Sequence, residues 1–213
     1  MVDLKIEGLD KETPKVIESL TTSTGGDGGV PFWYKNEEFI YDKDGDLELN
    51  FDNTYLHDKL ERFDFKNPPV DPVNLSQSLV KFMRSKMGYG LSANQVGMPL
   101  NVFVLEGEPA YACFNPKVTY YSPEEILLEE GCLSYPGLGL RIRRPRHIRV
   151  RFQDPYGDFV TRQFQDITSR VFQHELDHLS GVDFTMKVGK LKRDMAFKKW
   201  RKKYGRTGLQ LPL

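Results

Sequence analysis

The sequence predicts an α+β domain, because segments with helical periodicity and segments with strand patterning alternate along it. Over residues 74–87, Leu75, Leu79, Phe82, Met83 and Met87 form an apolar stripe at helical spacing. A second helix carries Gln173-His174-Glu175-Leu176-Asp177-His178; it is expected to open near Asp166 or Thr168 and to close at Ser180-Gly181, where glycine can take the left-handed stop conformation. Strands are expected at residues 101–105, 114–120 and 126–128. Ile148, Val150 and Phe152 alternate toward Asp154-Pro155-Tyr156-Gly157, which reads as a hairpin turn.

The second helix carries the chemistry. His174 and His178 are four apart and share a face, so both imidazoles can meet one ion while Glu175 reaches a water bound to it. The bland alternative is two histidines that cap and fill a surface. Against it, the chain has only four histidines, His57, His147, His174 and His178. No glutamate follows Glu175, so a thermolysin-like third ligand is missing, and Phe184 stands where HExxHxxGxxH needs its last histidine, although Gly181 fits that pattern. The best remaining donor is Cys132, in Glu130-Gly131-Cys132-Leu133-Ser134. One thiolate and two imidazoles leave a tetrahedral ion an open position for water, as catalytic sites require.

A glycine-containing segment, Gly88-Tyr89-Gly90-Leu91-Ser92-Ala93-Asn94-Gln95, follows the first helix. Gly88 and Gly90 permit the close backbone approach that a peptide lying along a strand edge needs. Tyr89 and Leu91 either shape a substrate slot or fill core, and Gln95 either ties a loop together or takes part in chemistry. The segment lacks the third glycine and the acidic partner of a dinucleotide site.

These three segments, in this order, resemble the signature motifs of peptide deformylase, over roughly residues 50–185. The resemblance implies a mixed, mainly antiparallel sheet around the HExxH helix. It implies hydrolytic removal of the formyl group from the N-terminal methionine of newly made proteins, with release of formate. By the same resemblance Cys132, His174 and His178 bind the metal, Glu175 moves protons, and Gln95 with the backbone N–H of Leu133 holds the developing oxyanion. One divalent ion is expected, Fe2+ by preference, while Zn2+, Ni2+ or Co2+ suit the same ligands. The competing readings are a catalytically silent relative kept as a peptide- or ribosome-binding module, and a generic metallopeptidase.

Some positions depart from the family pattern. Ser92 replaces an alanine, and Gly137-Leu138-Gly139 occupies a loop that often holds an arginine. Arg144 matches an arginine that anchors the cysteine loop, here through Glu130, with surface charge in the run Arg141-Ile142-Arg143-Arg144 as the alternative. Arg170, one turn before His174, stands where an apolar residue usually lines the methionine pocket; either it points out along its stem or the pocket has a different floor. Gly88, Tyr89, Gly90, Leu91, Arg144 and Arg170 are thus the expected substrate contacts.

With 213 residues and 39% hydrophobic residues, the chain can bury one substantial core. No long apolar run and no secretory leader stands out, so a cytoplasmic protein without membrane segments or specific DNA binding is expected. Two cysteines fit a reducing compartment; Cys113 reads as a buried small hydrophobe, with a Cys113–Cys132 disulfide as the competing assignment. The net charge of zero conceals an asymmetry: residues 1–66 hold sixteen acidic and eight basic residues, whereas residues 186–206 hold ten basic residues and Asp194. The expected organisation is an acidic, partly flexible N-terminal extension at 1–49, a catalytic domain at 50–185 and a basic C-terminal helix and tail at 186–213. Residues 21–29 read as a loop, the aromatics at 32–34 and 39–41 as packing groups, and residues 42–48 as a turn rather than a calcium loop. Met195, Phe197 and Trp200 would dock the C-terminal helix on the protein while its lysines and arginines face a polyanion, for which ribosomal RNA is the candidate.

Overall fold

The computed structural model describes residue 43 and residues 45–204. The expectations for residues 21–29, 32–34 and 39–41 lie outside the described residues. Within the stretch read as a turn, Gly45 takes a left-handed φ of 80°. Two residues later Leu47 is already buried in the core, its N–H bonded to Ser78 Oγ at 3.0 Å.

The first apolar stripe forms helix α1 (Pro72–Ser85). Asp71 caps it by accepting from the Asn74 N–H at 2.6 Å, and Pro72 occupies the first turn, where a missing N–H leaves no helix bond unmade. Leu75, Leu79 and Met83 are buried and Phe82 packs beside them. Met87 departs from the expected stripe. The helix ends two residues before it, Met87 turns left-handed (φ 55°), and its side chain is 90% exposed.

Seven strands follow: β1 (Gly90–Ser92), β2 (Val102–Leu105), β3 (Tyr111–Tyr121), β4 (Glu125–Cys132), β5 (Tyr135–Pro145), β6 (His147–Gln153) and β7 (Phe159–Gln165). Five of them make an antiparallel sheet in the order β1-β2-β3-β6-β7, and β4 and β5 pair as a separate antiparallel hairpin. β2 is buried on both faces: Val102 and Val104 join the α1 cluster, whereas Phe103 and Leu105 join a cluster formed with helix α2 (Asp166–Leu179). Double burial explains why Val102-Phe103-Val104-Leu105 shows no polar alternation. The expected turn after β6 is present, with Gly157 at φ 86° and its N–H bonded to the Asp154 carbonyl at 3.0 Å.

Two strands differ from the sequence reading. The strand expected at 126–128 runs on through Cys132, so the cysteine is the last residue of β4. Gly137-Leu138-Gly139, expected as a loop, belongs to β5. From Leu138 onward β5 alternates strictly, with Leu138, Leu140, Ile142 and Arg144 buried and Gly139, Arg141 and Arg143 exposed. A buried arginine in the inward set had disguised that period as a run of charge.

The C-terminal helix α3 (Lys190–Tyr204) lies on β5. Trp200 is buried in a third cluster with Tyr135, Leu138, Leu140 and Ile142, and its indole N–H donates to the Pro136 carbonyl at 2.8 Å. Phe197 packs as expected, but Met195 is exposed and contributes nothing to docking.

Candidate metal centre

Helix α2 brings its own two imidazoles together and receives the cysteine sulfur from β4. The rings of His174 and His178 meet edge to face with centroids 4.9 Å apart, as one helical turn dictates. Cys132 Sγ lies 3.3 Å from His178 Nε2, and one donor atom from each of Cys132, His174 and His178 falls within 4.8 Å of the others. Both histidines are buried while Cys132 is half-buried. The helix ends at Ser180, followed by Gly181 at φ 72°, the stop the sequence predicts.

His174 Nδ1 lies 3.2 Å from Glu130 Oε2, which leaves Nε2 at the opposite edge of the ring. The backbone carbonyl of His178 accepts from Asn94 Nδ2 at 2.8 Å. Burial, the positive charge of His174 and that of Arg144 push the pKa of His178 well below its ordinary value, keeping it a neutral imidazole. His174 behaves oppositely. Burial disfavours its charge, yet the Cys132 sulfur and the Glu130 carboxylate outweigh that and push it up to about 10. The Cys132 sulfur and the Glu130 carboxylate therefore favour positive charge at the cluster, and a divalent cation meets that demand with the same donors. A thiolate and two imidazoles, with a carboxylate behind one ring, fit a borderline-soft divalent metal.

Glu130 is buried and connects the ligands to the frame. Burial would raise its pKa, but hydrogen bonds from His174 and Arg144, with the charge of Arg144, hold it down at about 2. Arg144 grips both oxygens, through Nε at 2.7 Å and Nη2 at 2.9 Å, and its Nη1 donates to Asp177 Oδ2 at 2.7 Å. Asp177, in the HExxH helix, also accepts from Lys187 Nζ at 3.1 Å.

Glu175 is buried beside the cluster, and burial pushes its pKa up to about 7. Its Oε2 has no hydrogen-bond partner. Gly90 makes room for it, because a Cβ at that position would stand 2.5 Å from Glu175 Oε1 and 2.7 Å from Val171 Cγ1. The glycine expected to admit a peptide backbone thus also accommodates the carboxylate. At Gly88 a Cβ would stand 2.8 Å from Leu133 Cδ1.

Gln95 ends a single 3-10 turn, Ala93–Gln95, directly after β1. Its carbonyl oxygen accepts from the Ser92 N–H at 3.0 Å and from Ser92 Oγ at 3.1 Å. That fixes the amide flip, so Nε2 faces Cys132 Sγ at 3.3 Å and Ser134 Oγ at 3.0 Å. The loop-tying and site-facing readings of Gln95 are therefore two ends of one side chain. Leu133 lies in the tight connection between β4 and β5, where Cys132 pairs with Tyr135. Tyr89 is 62% exposed and Leu91 is fully buried, so the side chain of Leu91 fills core. β1 is an edge strand of the sheet.

Two expected substrate contacts are placed differently. Arg144 anchors the Cys132 strand through Glu130, as the resemblance implied, rather than lying as surface charge, and with its other donor engaged by Asp177 it is buried instead of facing a substrate. Arg170 does not point outward either. It is buried, and it donates to Glu130 Oε1, to the Ile142 carbonyl at 3.0 Å and to the Ile126 carbonyl at 2.7 Å. Cys113 is buried, Cys132 is half-buried and both are free, so the competing disulfide is not formed. The sequence reading missed Ser92, Ser134 and Asp177. All three lie inside the three motif segments, which was the available signal.

The family model for polypeptide deformylase matches residues 49–194. A peptide deformylase of Synechocystis sp. is 38% identical over 151 residues, covering 67% of this chain and 79% of its own. One of Aquifex aeolicus is 33% identical over 158 residues, covering 71% of this chain and 92% of its own. The crystal structure of peptide deformylase from Thermus thermophilus superposes with a TM-score of 0.66 at 30% identity, over 74% of this chain and 94% of the other.

Proposed function

The chain belongs to the polypeptide deformylase family, and from that premise we propose how its residues divide the work. The enzyme hydrolyses the N-terminal formyl group of nascent peptides, releasing formate, and it does so with a metal. The observation that carries the assignment of residues is the convergence of Cys132, His174 and His178 donor atoms within 4.8 Å, next to a buried carboxylate.

Cys132, His174 and His178 would hold the ion. When bound, the ion supplies a water acidic enough to act as nucleophile at neutral pH and a positive charge for the formyl oxygen. We assign it as ferrous iron, with zinc, nickel and cobalt as substitutes the donors also accept. Glu175 takes the proton of the attacking water and returns it to the departing amine; a carboxyl near 7 suits both transfers. The Gln95 amide, aimed by Ser92, and the Leu133 N–H stabilise the oxygen that gains charge, each donor worth about 3 kcal/mol in the transition state. The peptide lies along Gly88 to Leu91, where the edge strand β1 offers backbone groups without reading side chains. Methionine is selected by an apolar pocket, and discrimination by single methylenes amounts to about 1–3 kcal/mol. Arg170, engaged by Glu130 and two carbonyls, does not draw acidic side chains into that pocket.

The exposed cations of α3, among them Lys198, Lys199, Arg201, Lys202 and Lys203, suit docking to ribosomal RNA while Trp200 holds the helix on the protein. A cytoplasmic setting agrees with two free cysteines, and among the described residues no helix is long and apolar enough to cross a membrane. We place the catalytic body at residues 50–185, with an acidic extension before it and a basic segment after it.

Formate release from formyl-Met-Ala-Ser, compared with formyl-Leu and formyl-Glu peptides and with an unblocked peptide, tests the reading. Formate with formyl-Met preferred supports it. Internal cleavage of the unblocked peptide would favour a metallopeptidase, and binding without formate a silent module.

A further inference from the structure

Arg170 stands on α2 one turn before His174, with its side chain buried. Its Nε has no hydrogen-bond partner, so the guanidinium is held through its two terminal nitrogens. Nη1 donates to Glu130 Oε1 and to the Ile142 carbonyl at 3.0 Å, and Nη2 donates to the Ile126 carbonyl at 2.7 Å. These bonds join α2 to β4 and β5 at once. Burying a guanidinium with one N–H unsatisfied is unfavourable, and an apolar side chain would fill the position without that loss. The contacts at the other end of the group show what the arrangement achieves.

They converge on Glu130. Its Oε1 accepts from Arg144 Nε at 2.7 Å and from Arg170, while its Oε2 accepts from Arg144 Nη2 at 2.9 Å and lies 3.2 Å from His174 Nδ1. Arg144 alone sets the plane of the carboxylate by its two-pronged grip. Arg170 reaches Oε1 from the helix that carries His174, so it fixes the carboxylate relative to the ring it orients. A carboxylate behind a ligating imidazole selects which ring nitrogen faces the ion and how the ring is turned.

We propose that Arg170 is a positioning residue for the metal ligand His174, acting through Glu130: its fork locks the carboxylate against β4 and β5 so that His174 keeps Nδ1 on Glu130 and presents Nε2 to the ion. The proposal rests on Cys132, His174 and His178 being the ligands. A lysine at this position keeps the charge but reaches acceptors from a single nitrogen, without a planar fork.

The test is Co2+ titration of chelator-treated, reduced protein, read by the thiolate charge-transfer and d–d absorption bands, with thermal midpoints recorded so that every titration is run on folded protein. Arg170→Met should weaken Co2+ binding about 10- to 100-fold, the usual effect of removing an outer-shell partner, and shift the absorption bands. Arg170→Lys, the substitution that disturbs folding less, should lose affinity severalfold and shift the bands in the same direction. Wild-type affinity and spectrum in either folded variant overturns the proposal, even if its thermal midpoint falls, because that is the result of a staple with no effect on the ligand. Cys132→Ser, run alongside, separates the two levels. If it loses Co2+ while Arg170→Met does not, only the role of Arg170 fails; if it binds Co2+ as the wild type does, the ligand set fails and the proposal with it.

Discussion

Gly90 and Glu175 share one space: a Cβ on residue 90 would stand 2.5 Å from the Glu175 Oε1 atom. The edge strand and the catalytic helix are therefore packed so closely that only a backbone without a side chain fits between them. Gly90→Ala should displace the carboxylate, and a misplacement of about 1 Å can cost about a hundredfold in rate. We expect kcat/KM to fall by that order while metal content stays at one equivalent. A variant with wild-type kcat/KM would show that the position of Glu175 is not critical.

Glu175→Gln should retain the metal and lose about 10²- to 10⁴-fold in kcat, since glutamine keeps the shape and removes proton transfer. The working form is the ionised one, so wild-type kcat/KM should rise with pH along an acid limb and then level, and that limb should be absent from the residual activity of the variant. The raised pKa of Glu175 has a stability consequence. A folded-state value near 7, above the ordinary value of 4.5, means that the protonated group's contribution is fully present below about 4.5 and is lost as pH rises through 7. Chelator-treated Glu175→Gln should therefore melt higher than wild type at pH 8, with the gain shrinking at pH 5.

Glu130 carries the opposite sign. Held down at about 2 against an ordinary 4.5, its carboxylate contributes stability above 4.5 that is lost as pH falls toward 2. Glu130→Gln leaves Arg144 and Arg170 without their shared anion, and breaking a buried ion pair in this way typically costs about 3–5 kcal/mol. Urea midpoints at pH 7 should differ strongly between wild type and variant, and the difference should shrink as pH falls from 4.5 through about 2. A pH-independent difference would mean that packing, not charge, is what Glu130 provides.

Charge on α3 can be changed without removing the helix, because Lys198, Lys199 and Lys202 are exposed while Trp200 is buried. Replacing those three lysines by glutamate should leave the thermal midpoint within a few degrees and abolish salt-sensitive co-sedimentation with ribosomes. Unchanged co-sedimentation would remove the helix from any docking surface.

The parts of this site that were legible in the sequence are those whose signal is local. His174, Glu175 and His178 are fixed relative to each other by helical spacing, and the Gly181 stop follows from the same helix. The Cys132 strand was cut short because Glu129, Glu130 and Gly131 look like loop composition, although Glu130 is buried by partners on β5 and α2. The Glu130 anchor of Arg144 was legible from the motif resemblance, but its second acceptor Asp177 was not, and Arg170 could not be oriented because its acceptors, Glu130 and the Ile126 and Ile142 carbonyls, lie on other elements. Met87 continued the apolar stripe of α1 in sequence but not in space, because the chain turns left-handed there to bring Gly88 against Leu133.

The ligand set on which the proposed mechanism depends is read most directly by X-ray absorption at the metal edge of the zinc-loaded protein, prepared under reducing conditions. One sulfur scatterer at about 2.3 Å and two imidazole nitrogens at about 2.0–2.1 Å are expected, with the sulfur shell lost in Cys132→Ser. A bound metal whose spectrum shows no sulfur, or keeps its sulfur in Cys132→Ser, would contradict the assignment of Cys132, His174 and His178.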